Sequence, residues 1–487
     1  MKSNKNWGKS IVSLGITFVL LAGCGNESMP ESASAEPVTS EDTSPEPAPT
    51  GQVASGDTST ESATAEQVAS EDTSPESTPA EPISSEDISP EPTPKASAEN
   101  NGLIKHHSTE HEYNHGKDGY YNLLDDGVEF ELTAQLDGTC WVYASACSMM
   151  TSYQLDHDGV VVLDQIDLLN EIYSDDKEEG IFTVNGANKK SVGGEGLFVV
   201  NELANGFGNG FVLDGAIDAR NWSIDEVKEG IRKYGALYIG IPDPSNKKGT
   251  YDNYYTLNCP SPKDGDFDHS IAILGWDDSF PKEYYREEAS RDGAWIAYNS
   301  SHPLGYYYVS YDTPFDQLYD MPLFMSITDG YSKVLSYDCG KWFTEPVRTG
   351  DVTTTANVFS EKGTLAAVGT YSPTDDADLT IQIMTPDLSE CLYSQVCHAD
   401  HAGYYVFELD QPMEVDEYAI AISYPQGAPV EGTSIELDTW YYTDITIKSG
   451  QSFILVDGKW LDMSEKNTWN QFGYETNNAC IKALYVK

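Results

Sequence analysis

Apolar and polar positions divide the 487 residues into four stretches of different texture. The first is a continuous apolar run from about Ile11 to Leu21. The second, residues 25–101, has almost no aromatic or large aliphatic side chain. In the third, residues 102–335, helix and strand patterns alternate. Val142, Ala146, Met149, Met150 and Tyr153 recur at helical spacing and predict a helix over Trp141 to Leu155. Apolar runs at Gly235 to Ile241, His269 to Trp276, Gly293 to Asn299 and Gly305 to Tyr311 predict strands. The fourth stretch, residues 339–487, reads as short strands parted by Gly, Pro and Asp turns, among them Leu365 to Thr370, Leu379 to Met384, Gly403 to Leu409, Tyr418 to Tyr424 and Ala479 to Val486. That texture predicts an all-β sandwich.

The first two stretches precede any folded core. Lys2, Lys5 and Lys9 flank the apolar run, which is shorter than the roughly 20 residues a membrane-spanning helix needs. It ends in Leu21-Ala22-Gly23-Cys24, which resembles the lipobox of bacterial lipoproteins. Residues 1–24 then form a lipoprotein signal peptide, and the resemblance implies that Cys24 becomes the lipidated first residue. The expected place is the extracellular face of the bacterial cell membrane, held by the lipid anchor; an ordinary secretory signal is the alternative. In residues 25–101 the motif Ser40-Glu41-Asp42-Thr43-Ser44-Pro45-Glu46 returns at Ser70 and Ser85, at multiples of about fifteen residues. No unit carries the apolar residues a stacked repeat would need, so this acidic Ser/Thr/Pro/Glu-rich linker is expected to be a disordered stalk.

Charge narrows the partners. The formal net charge is -51, from 79 acidic and 28 basic residues. Nucleic acid is excluded as a partner, because phosphate contacts require clustered Lys and Arg. With Cys24 set apart, seven cysteines remain, and an odd number outside the cell implies at least one free thiol. Cys391 and Cys397 stand close enough in sequence to suggest a small disulfide loop.

The sharpest chemical feature is Gln135-Leu136-Asp137-Gly138-Thr139-Cys140-Trp141, a glycine-containing turn that delivers a cysteine to a helix start. The positive end of a helix favours thiolate over thiol. Gln135 stands where its amide and the Cys140 N–H could stabilise an oxyanion. A buried structural cysteine is the competing reading of this segment alone. His269 opens an apolar strand, and Asn299 ends another. A nucleophile, a base and a group that orients the base are the three parts thiol catalysis needs.

Together with Gly193-Gly194, Asp268-His269 and Gly293 to Tyr308, these residues resemble the papain-like cysteine peptidases, in the bacterial branch that carries a C-terminal lectin-like domain. The resemblance implies an α+β papain-like domain over 102–335, with a helical half and an antiparallel β half. A lectin-like β-sandwich over 339–487 would follow it. It implies Cys140 as nucleophile, His269 as base and later acid, Asn299 as the orienting group and Gln135 in the oxyanion hole. Gly193 and Gly194 would hydrogen-bond an extended substrate through their backbone. The implied activity is extracytoplasmic hydrolysis of peptide or protein substrates with no cofactor. The name of the second domain implies cell-surface carbohydrate, although no sugar site is legible; Trp440 and Trp460 are as well explained by packing.

Three departures from the family pattern stand out. Gln135 is one residue too close to Cys140, no cysteine shortly precedes the nucleophile, and the tryptophan expected after Asn-Ser is replaced by Ser301-His302-Pro303. The last change predicts a more hydrated His–Asn bond. These changes keep open an alternative, a surface binding or adhesion protein with a decayed peptidase domain, and acyl transfer through the same thioester is a third. The histidines at 106, 107, 111 and 115, the Cys397-His398-His401 group and the Asp375-Asp376-Asp378 turn lack regular metal spacing, so no metal site is expected. His302, a rival base by proximity in sequence, has no strand to fix it.

Overall fold

The computed structural model describes residues 118–486, apart from 132, 175–181, 185–187, 207–209, 245, 252–253, 264–266, 319, 340–345, 432–434, 437–439, 443–446, 466–467 and 469–476. The signal, Cys24, the repeat stretch and the four histidines at 106–115 lie outside the described residues, as does the side chain of Trp440.

After a short strand β1 (Tyr120–Asn122), helix α1 (Cys140–Asp156) occupies the centre of the first half. Trp141 through Ser152 are all buried, so the helix is wrapped on every side rather than along one face. Its small polar residues close gaps in neighbouring backbone. Ser148 Oγ donates to the Ala236 carbonyl at 2.7 Å and accepts the Met325 N–H at 3.0 Å. Thr151 Oγ1 accepts the Ala236 N–H at 2.8 Å. A buried peptide group left without such a partner would cost about as much as a lost hydrogen bond.

Around it follow α2 (Gln165–Ile172), β2 (Tyr173–Ser174), β3 (Phe182–Val184), α3 (Gly196–Leu203), β4 (Val212–Asp218) and α4 (Ile224–Tyr234). Next come β5 (Leu237–Pro242), β6 (Lys248–Tyr251), β7 (Tyr254–Leu257), β8 (Phe267–Asp277), β9 (Ala294–Asn299), β10 (Gly305–Ser310) and β11 (Leu323–Thr328). Strands β5, β8, β9 and β10 form an antiparallel series, with β7 added parallel to β10. Every residue of β5, β9 and β10 is buried. Their near-continuous apolar runs are therefore buried strands, as the sequence predicts.

The second half contains β12 (Lys333–Leu335), β13 (Thr353–Ser372), β14 (Ala377–Met384), β15 (Cys391–Ala399), β16 (Gly403–Tyr424), β17 (Ile435–Glu436), β18 (Trp440–Tyr442), β19 (Ser452–Val456), β20 (Lys459–Asp462) and β21 (Ile481–Val486). Here the expectation of short separate strands is corrected. Gly403 to Leu409 and Tyr418 to Tyr424 are the two ends of the single strand β16, which pairs with an almost equally long β13. The register shifts between Leu365 and Ala367 of β13, opposite the segment that holds Pro412. A proline has no N–H for a regular ladder, and an irregularity is where a strand tolerates it. The polar residues near this break look like a turn in sequence.

The two halves share one sheet. Gly403 to Tyr405 of β16 pair with Gly215 to Ile217 of β4, which continues into β11. At the seam Tyr371 Oη lies 3.1 Å from Asn201 Oδ1. The Lys482 ammonium, fully buried, reaches Asp338 Oδ2 at 2.7 Å, Asn205 Oδ1 at 3.0 Å and Ser336 Oγ at 3.0 Å. All seven described cysteines are free thiols. Cys391 and Cys397 lie six residues apart along β15, about 20 Å in an extended strand. That is far beyond disulfide reach, so the loop suggested by their proximity in sequence is corrected.

Candidate active site

Cys140 is the first residue of α1, so its thiol stands at the positive end of the helix. The turn that presents it is tied down on two sides. The Gly138 N–H donates to the Lys190 carbonyl at 2.7 Å, and the Gln135 N–H donates to the Ser300 carbonyl at 2.9 Å. Thr139 Oγ1 donates to the Leu136 carbonyl at 2.9 Å, closing the turn on itself. Gln135 is occupied at both ends of its amide: Nε2 donates to the Asp137 carbonyl at 2.6 Å, and Oε1 accepts from Ser300 Oγ at 2.9 Å. One of its two amide hydrogens is thus spent within the nucleophile turn.

The strands bring two residues distant in sequence to this helix end. His269 is the third residue of β8, and Asn299 is the last of β9, the neighbouring strand. His269 Nε2 meets Asn299 Oδ1 at 2.6 Å. With Nε2 so engaged, Nδ1 is the ring nitrogen left to exchange a proton with the Cys140 thiol. Asn299 Nδ2 donates to the carbonyls of Ser301 at 3.2 Å and Pro303 at 3.1 Å, while Ser301 Oγ donates back to Asn299 Oδ1 at 3.0 Å. The turn lacking the expected tryptophan therefore grips the amide itself. Asn299 is 1% exposed and His269 8%, which corrects the expectation of a hydrated bond.

Electrostatics favours the charged pair. Burial by itself would push the Cys140 thiol up, but the hydrogen bond and charge of His269, with the N–H and hydroxyl of Ser270, bring it below its ordinary value. Burial likewise opposes a charged His269, yet the Cys140 contact, the Asp243 carboxylate and the Asn299 bond raise its pKa to about 9. The two groups thus stabilise one another as thiolate and imidazolium.

The glycine pair is fixed for two different reasons. Gly193 has φ +80° with open space where a side chain would go, so the backbone there is bare toward the site. At Gly194 a Cβ would fall 2.3 Å from the Trp141 indole, so any side chain would collide with the residue after the nucleophile. The Tyr173 hydroxyl donates to the Gly193 carbonyl at 2.8 Å.

Several site residues escape sequence reasoning. Ser270 Oγ lies 3.8 Å from Cys140 Sγ and donates to Asp320 Oδ2 at 2.5 Å. The Tyr238 hydroxyl bonds the other Asp320 oxygen and accepts the Gly196 N–H at 2.9 Å. Gly240 makes room for Asp320, whose Cβ would lie 2.5 Å from a Cβ at that glycine. The one sequence signal was the serine directly after His269. Among the described residues, no group of three or more His, Cys, Asp or Glu side chains is arranged to hold a metal.

A cysteine at the head of a buried helix, with a histidine and an asparagine on adjacent strands and a long antiparallel β region after them, is an arrangement this chain shares in fold with a cysteine protease joined to a lectin-like domain. Residues 335–485 match the family model of the lectin-like domain. Two solved structures share the fold across both halves. One is the Clostridial cysteine protease Cwp84, a cysteine-to-alanine variant after propeptide cleavage, with 18% identity, 75% of this chain and 98% of that chain covered, and a TM-score of 0.61. The other contains the cysteine protease and lectin-like domains of Cwp84, a surface layer associated protein of Clostridium difficile, with 17% identity, 76% and 88% covered, and a TM-score of 0.60. No curated protein sequence matches the chain.

Proposed function

We propose that this chain is an extracytoplasmic cysteine endopeptidase, held at the membrane by a lipid on Cys24, that hydrolyses peptide bonds through Cys140, His269 and Asn299. The observation that carries the reading is that Cys140 heads α1 while His269, buried and 2.6 Å from Asn299 Oδ1, holds the thiol below its ordinary titration. The Cys140 thiolate attacks the carbonyl carbon of the substrate, and the negative oxygen that forms is met by the N–H groups at the head of α1. His269 donates its proton to the departing amine, leaving an acyl-thioester on Cys140. Water then attacks the thioester, giving up a proton to His269, and the carboxylic acid leaves as the thiolate is restored. Asn299 holds the imidazole in the plane this exchange requires. Gln135 is a second oxyanion donor only through the amide hydrogen that Asp137 does not take. Gly193 and Gly194 present bare backbone along which an extended peptide can pair.

The apolar run before Cys24 supports the lipid anchor, and Cwp84 being a surface layer associated protein supports action at a cell surface. The lectin-like domain is read as holding the enzyme to cell-surface carbohydrate. The test is labelling of the full chain by an epoxide-type cysteine-peptidase reagent, beside Cys140→Ala and His269→Ala. Labelling at Cys140 in the parent and in neither variant is the expected result. An unlabelled parent under reducing conditions would turn the reading to a binding protein with a decayed peptidase domain.

A further inference from the structure

Glu195 follows directly on the bare glycine pair and stands at the N-cap position of α3, yet its side chain makes no capping hydrogen bond. Its Oε2 is sheltered from solvent and has no hydrogen-bond partner. A carboxylate oxygen in that state is costly to retain without a purpose.

The surroundings make this worse rather than better. Asp316 acts on Glu195, and Glu195 and the Cys140 thiolate act on Asp320; all these charges are of one sign. Burial, reinforced by Asp316, raises the Glu195 carboxyl to about 8. Asp320 is held in place by the Ser270 and Tyr238 hydroxyls, and the loop that carries it is pinned to Gly240 by two backbone hydrogen bonds of 2.8 Å. The acidic wall is therefore rigid and reaches the nucleophile through Ser270. Near His269, by contrast, Asp243 already has its counter-ion in Lys248 at 2.5 Å. The acidic groups without a counter-ion lie on the Glu195–Asp320 side, where burial keeps the Glu195 carboxyl protonated near neutral pH until a cation arrives to ionise it.

We propose that Glu195, backed by Asp320, receives an arginine or lysine side chain of the substrate, so that the enzyme prefers peptides with a basic residue within about three positions of the bond it cuts. This rests on the peptidase reading and adds the substrate class to it. A basic side chain supplies the hydrogen-bond donors that Glu195 lacks and the positive charge that the wall lacks. In this proposal a peptide extended along Gly193 and Gly194 runs next to Glu195, the residue that follows them at the head of α3. Neutral side chains at the same position leave it unpaired, which is how a buried polar group turns binding into discrimination.

The full chain and its Glu195→Gln and Glu195→Asp variants are assayed on peptide pairs in which Arg replaces Leu at each of three positions on either side of the scissile bond. Alkylation of Cys140 by iodoacetamide is followed in parallel. The expected result is an Arg-over-Leu ratio in kcat/KM of about tenfold or more at one position. It should shrink about tenfold in Glu195→Gln, survive in part in Glu195→Asp and weaken in the parent as sodium chloride is raised. Equal rates on Arg and Leu peptides in the parent, with Cys140 reactive and peptides cut, overturn this proposal and leave the peptidase reading standing. A ratio undiminished in a Glu195→Gln protein whose Cys140 still alkylates overturns it as well. Rapid alkylation with no peptide cut overturns the peptidase reading, and the proposal falls with it. If Glu195→Gln does not fold, seen as lost alkylation, the salt response of the parent decides: an Arg preference indifferent to salt overturns the proposal.

Discussion

Two buried pairs among the described residues, Lys482 with Asp338 and Cys140 with His269, contrast in a way that separates structure from chemistry. At the seam, Lys482 and Asp338 are both fully buried, and the ammonium has three oxygen partners, one for each hydrogen. At the head of α1, Cys140 and His269 form a pair whose partners are incomplete, because the thiol has one ring nitrogen and a distant Ser270 hydroxyl. A saturated pair has nothing left to offer a substrate; it locks the turn after α3 and the segment after β12 to β21. The unsaturated pair keeps a lone pair on sulfur and a proton on nitrogen, and both are needed in the reaction proposed.

The comparison breaks most visibly if the reactive pair is dispensable. Cys140→Ala is expected to lower kcat/KM on a peptide substrate by about 10⁴-fold while leaving the unfolding midpoint near that of the parent. Activity within tenfold of the parent would remove Cys140 from the mechanism. The saturated pair should behave in the opposite way. Lys482→Met strands a buried carboxylate and should cost about 3–5 kcal/mol in denaturant unfolding, and Lys482→Met/Asp338→Leu should regain much of it. A loss no larger than that of an exposed ion pair would show that the seam is wetter than the contacts imply.

Smaller effects sharpen the picture. The thiolate–imidazolium pair exists between the lowered titration of Cys140 and the raised one of His269, and its two apparent values belong to the pair together. Alkylation of Cys140 should therefore rise with pH at values below those of an ordinary thiol. Peptide cleavage should fall as pH climbs through about 9, where His269 loses the proton it must give to the leaving amine. Asn299→Ala should reduce kcat about tenfold and draw that upper limb toward lower pH. An unmoved limb would mean that Asn299 does not hold the ring. The least effect is expected at Tyr371→Phe, which removes the 3.1 Å contact to Asn201 and should cost about 1 kcal/mol in the same unfolding experiment.

Much of this was legible along the chain. Buried strands and the central helix announce themselves because apolar periodicity is a local property, and the expected helix over Trp141 to Leu155 agrees with α1 to within a residue at each end. Cysteine, histidine and asparagine were legible as types at element ends, since each stands beside a run whose end is readable. The strands of the second half were legible as strands but not in their lengths: β13 and β16 cross a register break that looks like a turn in sequence.

Tertiary structure decided the rest, because the deciding contacts join residues far apart in the chain. Gly194 is a glycine because Trp141 packs against it, and Gly240 because Asp320 does. Asn299 is shielded without its expected tryptophan because the Ser301 to Pro303 turn folds back on it. Asp320 and Glu195 are ordinary acidic residues in sequence, 125 positions apart by number (320 less 195). They become one uncompensated wall beside Cys140 only when the loop before β11 docks on Gly240. By itself the sequence determined which residues could carry thiol chemistry, since that depends on side-chain type and local element. Which charges stand together, and which are left without a counter-ion, depends on distance through space, and only the folded chain sets that.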